Sequence, residues 1–250
     1  LDSSQAIELE KQVLQSKEDE WSAMKQVGQK ISSEVLKDFQ ELKPIPENFS
    51  VLLLCGKGKN GGDGLLVADY LMRKMPRAKV VVFLATPTRD ELHPLTEKAL
   101  KEVEERVTLY IQSNEPDESI LDTVIQNEFG ETEMINICID SLLGLGFKPP
   151  LEESLCNLVS LVNKSKRIEV RISVDVPTGL SEFPVDDELY FNSDFCYMAG
   201  IAKEAVFRSF SSVSRIRFID IGLIKEASDI DDTCKQYHIN NRCLDRLRGL

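Results

Sequence analysis

Histidine is scarce in this chain, with only His93 and His238 among 250 residues. A histidine-based zinc site or a Ser-His-Asp triad would have to use one of these two. His93 precedes Pro94 at a predicted helix start, and His238 lies in a polar segment near the end of the sequence, so both are expected at the surface. The sequence therefore disfavours histidine-dependent metal binding and nucleophilic catalysis.

The chain also lacks a CxxC motif and any long apolar run. Its six cysteines are scattered, and several lie in apolar, strand-like runs where cysteine behaves as a small hydrophobe, so we expect reduced, structural cysteines. No run approaches the roughly 18 apolar residues of a membrane-spanning helix, and the first residues lack the pattern of a secretory signal. We expect a cytoplasmic protein with no membrane partner.

Positive charge is in short supply, because 30 Lys and Arg residues face 42 Asp and Glu residues, for a formal net charge of -12. Nonspecific binding to nucleic acid depends on clustered basic side chains that release counterions. We therefore expect no nucleic-acid partner. Hydrophobic residues make up 42% of the chain, which is enough for a substantial core.

The order of apolar patterns predicts the fold. Residues 1–40 form a helical lead-in, with a charged patch, Lys17–Glu20, between two helical segments. Apolar runs then alternate with helical patterns, and the predicted strands are Val51–Cys55, Lys79–Ala85, Val107–Ile111, Met134–Ile139, Ile172–Val174, Asp194–Met198 and Ile216–Ile221. Strands covered on both faces have continuous apolar runs, so the sequence predicts an α/β fold: a three-layer Rossmann-like sandwich with a mostly parallel central sheet, helices on both faces and an N-terminal helical extension.

One domain is predicted over residues 1–224, and residues 225–250 are polar enough to be a tail or linker. Because the sequence opens on Leu1 and closes on this polar segment, we expect a larger parent chain.

A glycine-rich segment, GKGKNGGDG, follows the first predicted strand and precedes a helix. Gly56, Gly58 and Gly61 satisfy the GxGxxG motif, which lets backbone amides approach a pyrophosphate at the positive end of a helix. The acidic residue of a dinucleotide dehydrogenase is missing after the second strand, and Asp63 stands where a P-loop needs lysine. Asp63 either caps the helix or meets a ligand group other than a bare phosphate. The segment indicates a dinucleotide-like ligand bound by neither of these two enzyme classes.

Two later strands end on an aspartate and an unusual loop, namely Asp140 with SLLGLGFKPP and Asp175 with VPTG. Ligands of open parallel sheets lie outside the carboxyl ends of the strands, so we expect both loops and the glycine-rich segment to share one site. Ordinary turn chemistry with nearby backbone remains an alternative for Asp140 and Thr178.

These segments together resemble a known family. GKGKNGGDGLLVADYL resembles the GxGNNGGDG turn and following helix of the NAD(P)HX epimerases, which have the YjeF N-terminal domain fold. Asp140–Lys148, Val174–Gly179 and Phe218–Gly222 resemble, in the same order, the family's Gly-Phe and Phe-Lys loop, its Asp-x-Pro-Ser-Gly turn and its Asp-Ile-Gly strand. Lys59 departs from the first Asn of the family's pair, and Thr178 from its usual Ser.

The resemblance implies an isomerase that interconverts the R and S forms of hydrated NADH and NADPH (NADHX and NADPHX) for metabolite repair. It implies an ADP- or ATP-dependent NAD(P)H-hydrate dehydratase as functional partner, and a homodimer. The segment after Ile224 resembles the connector to a dehydratase domain in bifunctional repair enzymes.

The family's site residues can be carried over by position. The resemblance implies a potassium ion held by Asn60, Asp140 and Thr178. We expect Asp175 to stabilise a developing cation and Lys148 to donate to a departing hydroxyl. The residues expected to bind the nucleotide are Lys59, Asn60, Gly61, Gly62, Asp63, Gly144, Leu145, Gly146 and Phe147.

Two other functions stay open from the sequence. The first is a catalytically inactive, nucleotide-binding or dimerising scaffold of the same fold, which Lys59 favours and the intact Asp63, Lys148 and Asp175 oppose. The second is a different nucleotide-using enzyme on a similar sheet, which fold alone does not exclude.

Overall fold

The computed structural model describes residues 1–112, 120–181, 189–208 and 213–223. The helices are α1 (Ser3–Val13), α2 (Lys17–Leu42), α3 (Lys59–Lys74), α4 (Pro94–Val103), α5 (Ile120–Phe129), α6 (Glu153–Lys164) and α7 (Glu204–Arg208), with a 3₁₀ turn at Arg89–Glu91. The strands are β1 (Ser50–Cys55), β2 (Lys79–Leu84), β3 (Thr108–Ile111), β4 (Ile135–Ser141), β5 (Ile168–Val174), β6 (Ser193–Ala199) and β7 (Val213–Ile219). The polar tail predicted at 225–250 lies outside the described residues.

The strands form one seven-stranded sheet in the order β3-β2-β1-β4-β5-β6-β7, and every neighbouring pair is parallel. This confirms the predicted Rossmann-like α/β fold. Strand β1 lies between β2 and β4, so the strand order reverses there. In open parallel sheets, the crevice at such a reversal, outside the carboxyl ends of the strands, is where ligands bind.

Both faces of the sheet are buried, as the continuous apolar runs predict. In β1, Val51 and Leu53 face a core formed with α2, α3 and α4, whereas Leu52 and Leu54 face a second core formed with α5 and α6. Successive side chains of a strand point to opposite faces, so a run that is buried throughout requires a layer on each side.

The amino-terminal helices differ from the prediction at one place. The charged patch Lys17–Glu20 does not separate two helices but forms the first turn of α2. Ser16 is the N-cap, and its hydroxyl accepts a hydrogen bond from the Asp19 amide at 3.1 Å. Acidic residues are favourable here because the helix dipole is positive at its N-terminus.

A buried ion pair attaches α2 to the strands at the far end of the sheet. The Asp38 carboxylate accepts hydrogen bonds from the Tyr197 hydroxyl at 2.9 Å and from the Arg217 guanidinium at 2.7 to 3.1 Å. Burial, followed by the nearby Asp38 charge, raises the pKa of Tyr197 well above its usual value. Tyr197 is therefore a neutral hydrogen-bond donor at physiological pH.

Helix α1 packs on a small apolar cluster separate from the two main cores. Ala6 and Leu9 contact Ile201, which follows β6, and Leu223, which follows β7. Among the residues that the structure describes, no helix has the length and apolarity needed to cross a membrane.

The structure describes four of the six cysteines and one of the two histidines. Cys55, Cys138, Cys156 and Cys196 are all free thiols, as expected. His93 is half-buried rather than exposed, because it caps α4 and its ring accepts a hydrogen bond from the Leu95 amide at 3.3 Å. Cys234, Cys243 and His238 lie outside the described residues.

Candidate active site

Helix α3 starts inside the glycine-rich segment, earlier than the predicted loop would place it. Gly58 is the N-cap and makes no side-chain capping bond. A Cβ atom on Gly61 would lie 2.0 Å from the Gly56 carbonyl oxygen, and one on Gly64 would lie 2.1 Å from the Ser141 hydroxyl oxygen. A side chain at either position would not fit. These glycines therefore let the helix pack closely on the carboxyl ends of β1 and β4, in addition to forming a turn.

Asp63 does not cap the helix, because it is the fifth residue of α3 and the N-cap is Gly58. Its side chain lines a cavity above the strand ends. Burial raises its pKa well above the usual value, and the charges of Asp175 and Glu10 add to this effect. The raised pKa favours the protonated form of Asp63, and a protonated carboxyl can donate a hydrogen bond.

The cavity has a volume of about 630 Å³, within the range of small-molecule sites. Its walls come from α1, α2, the start of α3, the ends of β2 and β5, and the loop after β4. The predicted residues that line it are Lys59, Asn60, Asp63, Gly144, Leu145, Gly146, Phe147 and Asp175. Gly61 and Gly62 are buried within α3, and Lys148 is exposed and outside the lining. The structure thus brings together all three predicted loops.

The predicted metal ligands form a connected group beneath this cavity. The Thr178 hydroxyl donates to Asp140 Oδ1 at 2.6 Å, and the Thr178 amide donates to Asp140 Oδ2 at 2.7 Å. The Leu143 amide donates to the Thr178 hydroxyl oxygen at 3.1 Å, and Asn60 Nδ2 donates to the Leu143 carbonyl at 2.7 Å. Burial raises the pKa of Asp140 to about 6, although the two hydrogen bonds from Thr178 act to lower it.

One oxygen of this group has no partner. Asn60 Oδ1 is buried and accepts no hydrogen bond from any described residue. Buried polar atoms are rarely left unsatisfied, and each such case needs an explanation. With Asp140 and Thr178 it forms a set of hard oxygen atoms, the ligand type of alkali and alkaline-earth cations. No three His, Cys, Asp or Glu side chains in the described part of the chain form a possible metal cluster, so the set depends on a single carboxylate and neutral oxygens.

Asp175 also lines the cavity, and its backbone conformation is unusual. Its φ of 69° lies in the left-handed region, where Asp is tolerated better than most residues but which is still uncommon. The Asp175 amide donates to the Tyr197 carbonyl at 2.9 Å, and its Oδ1 accepts from the Ala199 amide at 3.2 Å. Strand β6 therefore fixes both the backbone and the side chain of this residue.

Sequence reasoning missed several charged residues of the site, among them Lys203 and Glu10. Lys203 is almost completely buried and forms an ion pair with Asp175. Glu10 of α1 lines the cavity, and burial raises its pKa. A lone lysine in the apolar run YMAGIAKEAV was a signal for Lys203, because buried lysines are rare without a partner. No comparable signal marks Glu10, since its place depends on how α1 packs.

Lys59, the departure from the family pattern, lies at the rim of the cavity. Its ammonium group pairs with Glu20 of α2 at 2.5 Å and is half exposed. It therefore pairs with neither Asp63 nor a group in the interior of the cavity.

Comparisons with known proteins indicate the family of this chain. The family model of the YjeF-related protein N-terminus matches residues 21–199. An NAD(P)H-hydrate epimerase of Elusimicrobium minutum is 28% identical over 211 residues, which cover 83% of this chain and 88% of that protein. A bifunctional NAD(P)H-hydrate repair enzyme of Archaeoglobus fulgidus is 28% identical over 202 residues, which cover 80% of this chain and 36% of that protein.

A solved structure has a similar fold. The crystal structure of a yeast protein superposes with a TM-score of 0.68 at 23% sequence identity, covering 91% of this chain and 92% of the yeast chain.

Proposed function

The chain belongs to the family of the YjeF-related protein N-terminus, and from this premise we propose that it is an NAD(P)H-hydrate epimerase, an isomerase for hydrated NADH and NADPH. The observation that carries the proposal is one cavity in which the start of α3, the loop after β4 and the Asp175 turn meet. The helix N-terminus can receive the anionic part of a dinucleotide, and the carboxyl groups can receive its reacting ring.

The reaction inverts a carbon that bears a hydroxyl group and adjoins a ring nitrogen. The carbon–oxygen bond breaks as a proton donor turns the hydroxyl into water, and the nitrogen lone pair forms a cationic iminium. Water then adds to the opposite face and returns the proton. The Asp175 carboxylate would stabilise the cation, because a fixed negative charge in a site shielded from water acts strongly on developing positive charge.

Two residues are candidates for the proton donor to the departing hydroxyl. Lys148 follows Phe147, which lines the cavity, but the Lys148 side chain itself is exposed. It can act as the donor only after turning inwards. Asp63 already lines the cavity, and its raised pKa favours the protonated form that a donor needs. We therefore keep Lys148 as a candidate and add Asp63.

Potassium fits the oxygen group of Asn60, Asp140 and Thr178. The unpartnered Asn60 Oδ1 supports this assignment, since a bound cation would satisfy it. A potassium ion would supply positive charge beneath the cavity and hold the loops after β4 and β5 together. The residues themselves already link these loops through the Asp140–Thr178 hydrogen bonds.

The cellular setting is also a proposal. We place the protein in the cytoplasm as a homodimer, working with an ADP- or ATP-dependent dehydratase that consumes one epimer of NADHX or NADPHX. The similarity to a bifunctional NAD(P)H-hydrate repair enzyme supports a functional link to a second repair activity.

The test is a coupled assay with a racemic preparation of hydrated NADH or NADPH and an excess of S-specific dehydratase. Recovery of absorbance from the R form should be faster with the protein than by spontaneous epimerisation. Asp175→Asn should slow this recovery by about 100-fold or more. Asp122→Asn, on the exposed face of α5, is the matched control and should recover at the wild-type rate.

A folded wild-type protein that binds hydrated cofactor without accelerating recovery would instead be a nucleotide-binding scaffold. Lys59 was the main argument for that function, and its pairing with Glu20 at the rim removes most of the support.

A further inference from the structure

Charged groups of both signs meet around the reacting end of the cavity. Glu10, Asp63 and Asp175 are among the carboxyl groups that line the cavity, from α1, α3 and the turn after β5. Lys203 supplies the one ammonium group that is nearly completely buried among the described residues. The sequence motifs assigned no role to this lysine.

Lys203 is held in place by two acceptors. Its ammonium group donates to Asp175 Oδ1 and to the Ala199 carbonyl oxygen. Its backbone amide points at the Met198 sulfur at 3.0 Å. Burying an unpaired ammonium is so unfavourable that the lysine must keep these partners, which leaves its side chain little freedom.

Only one partner of the ion pair reaches the cavity. Asp175 lines the cavity, whereas Lys203 does not. The lysine therefore contacts the carboxylate from behind, on the side away from a ligand. The Ala199 amide donates to the same Oδ1 atom at 3.2 Å, so both donors reach one oxygen of Asp175. The other carboxylate oxygen has no such contact with either group.

We propose that Lys203 is a positioning residue of the epimerase: its buried ammonium group holds Oδ1 of the Asp175 carboxylate and so directs the second oxygen towards the reacting ring. This inference deepens the proposed function and depends on it. Lys203 itself touches no substrate atom.

The neighbouring groups explain why a dedicated counter-ion is needed. Glu10 of α1, Asp63 of α3 and the Cys196 thiol of β6 lie close enough to Asp175 for its negative charge to raise the pKa of each, in addition to the larger effect of burial. Burial and the charges of Asp175 and Glu10 raise the pKa of Asp63. Lys203 is therefore the counter-ion that Asp175 requires among these acidic side chains.

The activity test is a double-mutant cycle at pH 7 with Lys203→Met, Asp175→Asn and the double variant. Lys203→Met should lower kcat/KM by about 10- to 100-fold, the value of a hydrogen bond to a charged group. Lys203→Arg keeps the charge and should stay within about 10-fold of wild type. In the Asp175→Asn background, Lys203→Met should cause no further loss, because the lysine acts only through Asp175.

Folding can be separated from positioning in the same series. Removing one partner of a buried ion pair is strongly destabilising, whereas removing both is often nearly neutral. The double variant should therefore melt closer to wild type than Lys203→Met does. Equal losses of kcat/KM from Lys203→Met in both backgrounds would overturn the proposal.

A measurement that needs no epimerase activity completes the test. In protein labelled with ¹³C at aspartate carboxyl groups, the Asp175 resonance is assigned by its absence from Asp175→Asn. At pH 7 this resonance should move in Lys203→Met, because the carboxylate loses the ammonium donor to Oδ1, and should move less in Lys203→Arg. An unchanged resonance in Lys203→Met would overturn the proposal. A moved resonance in a protein without activity would refute the proposed function and leave the Lys203–Asp175 coupling intact.

Discussion

Replacing Asn60 with leucine should abolish the potassium-dependent part of the protein's thermal stability. Asn60 Oδ1 is buried without a partner among the described residues. An unsatisfied buried acceptor costs about 1–3 kcal/mol, and a bound potassium ion would remove that cost. Leucine has nearly the same shape as asparagine but no oxygen to offer the ion.

The size of the effect follows from linkage. A ligand at 100 times its Kd stabilises the folded state by about 2.7 kcal/mol. For a domain of this size, each kcal/mol changes Tm by about 2–4 °C, so saturating potassium should raise the wild-type Tm by about 5–10 °C. Asn60→Leu also loses the Nδ2 bond to the Leu143 carbonyl, which contributes about 0.5–1.5 kcal/mol. This loss is similar to the gain from removing the unsatisfied oxygen, so the potassium-free Tm should change little.

The assay is thermal melting in potassium chloride and in choline chloride at equal ionic strength. The matched control is Asn127→Leu, at an exposed position of α5, which should keep the full potassium-dependent shift. A wild-type Tm that is equal in the two salts, or an Asn60→Leu variant that keeps the shift, would refute the assignment of Asn60 as a ligand.

Two further variants test other contacts. Asp38→Ala should lower the free energy of unfolding in urea by about 3–5 kcal/mol, because it leaves Arg217 and the Tyr197 hydroxyl without their carboxylate; a loss below about 1 kcal/mol would contradict this reasoning. Lys59→Asn should cost at most about 1 kcal/mol, because its pair with Glu20 is half exposed, and should preserve epimerisation in the coupled assay. Loss of epimerisation in this variant would assign Lys59 a direct role in the site.

The sequence predicted the strands well wherever both faces are buried by apolar side chains. It placed the start of β5 too late, because Glu169 and Arg171 interrupt the apolar run of Ile168–Val174. The Arg171 guanidinium reaches the Val162 carbonyl at 2.9 Å, at the end of α6, so this charged residue is satisfied beside the sheet. A pattern of residue types does not reveal such a partner.

In the candidate site, too, residues marked by a local motif were predicted, and residues placed by long-range packing were not. Asn60 and Asp175 follow strands of a parallel sheet and Asp140 lies at the carboxyl end of another, so topology alone predicted that their loops would meet. Lys203 pairs with a residue 28 positions earlier, across the turns that follow β5 and β6. Glu10 reaches the site only because α1 packs on residues near the end of the described chain. Side chains placed by such long-range packing carry no local motif.

The packing of α1 also has a consequence for biosynthesis. This helix supplies Glu10 to the cavity wall, yet the apolar residues it rests on include Ile201 and Leu223, about 200 positions later. An isolated helix of 11 residues is only marginally stable in water. While the chain is being synthesised, α1 therefore has to wait for β6, β7 and the residues after them to leave the ribosome. Although α1 is made before the other described helices, it is among the last of them to dock, and a nascent chain has no complete binding cavity until β7 and the residues after it have emerged.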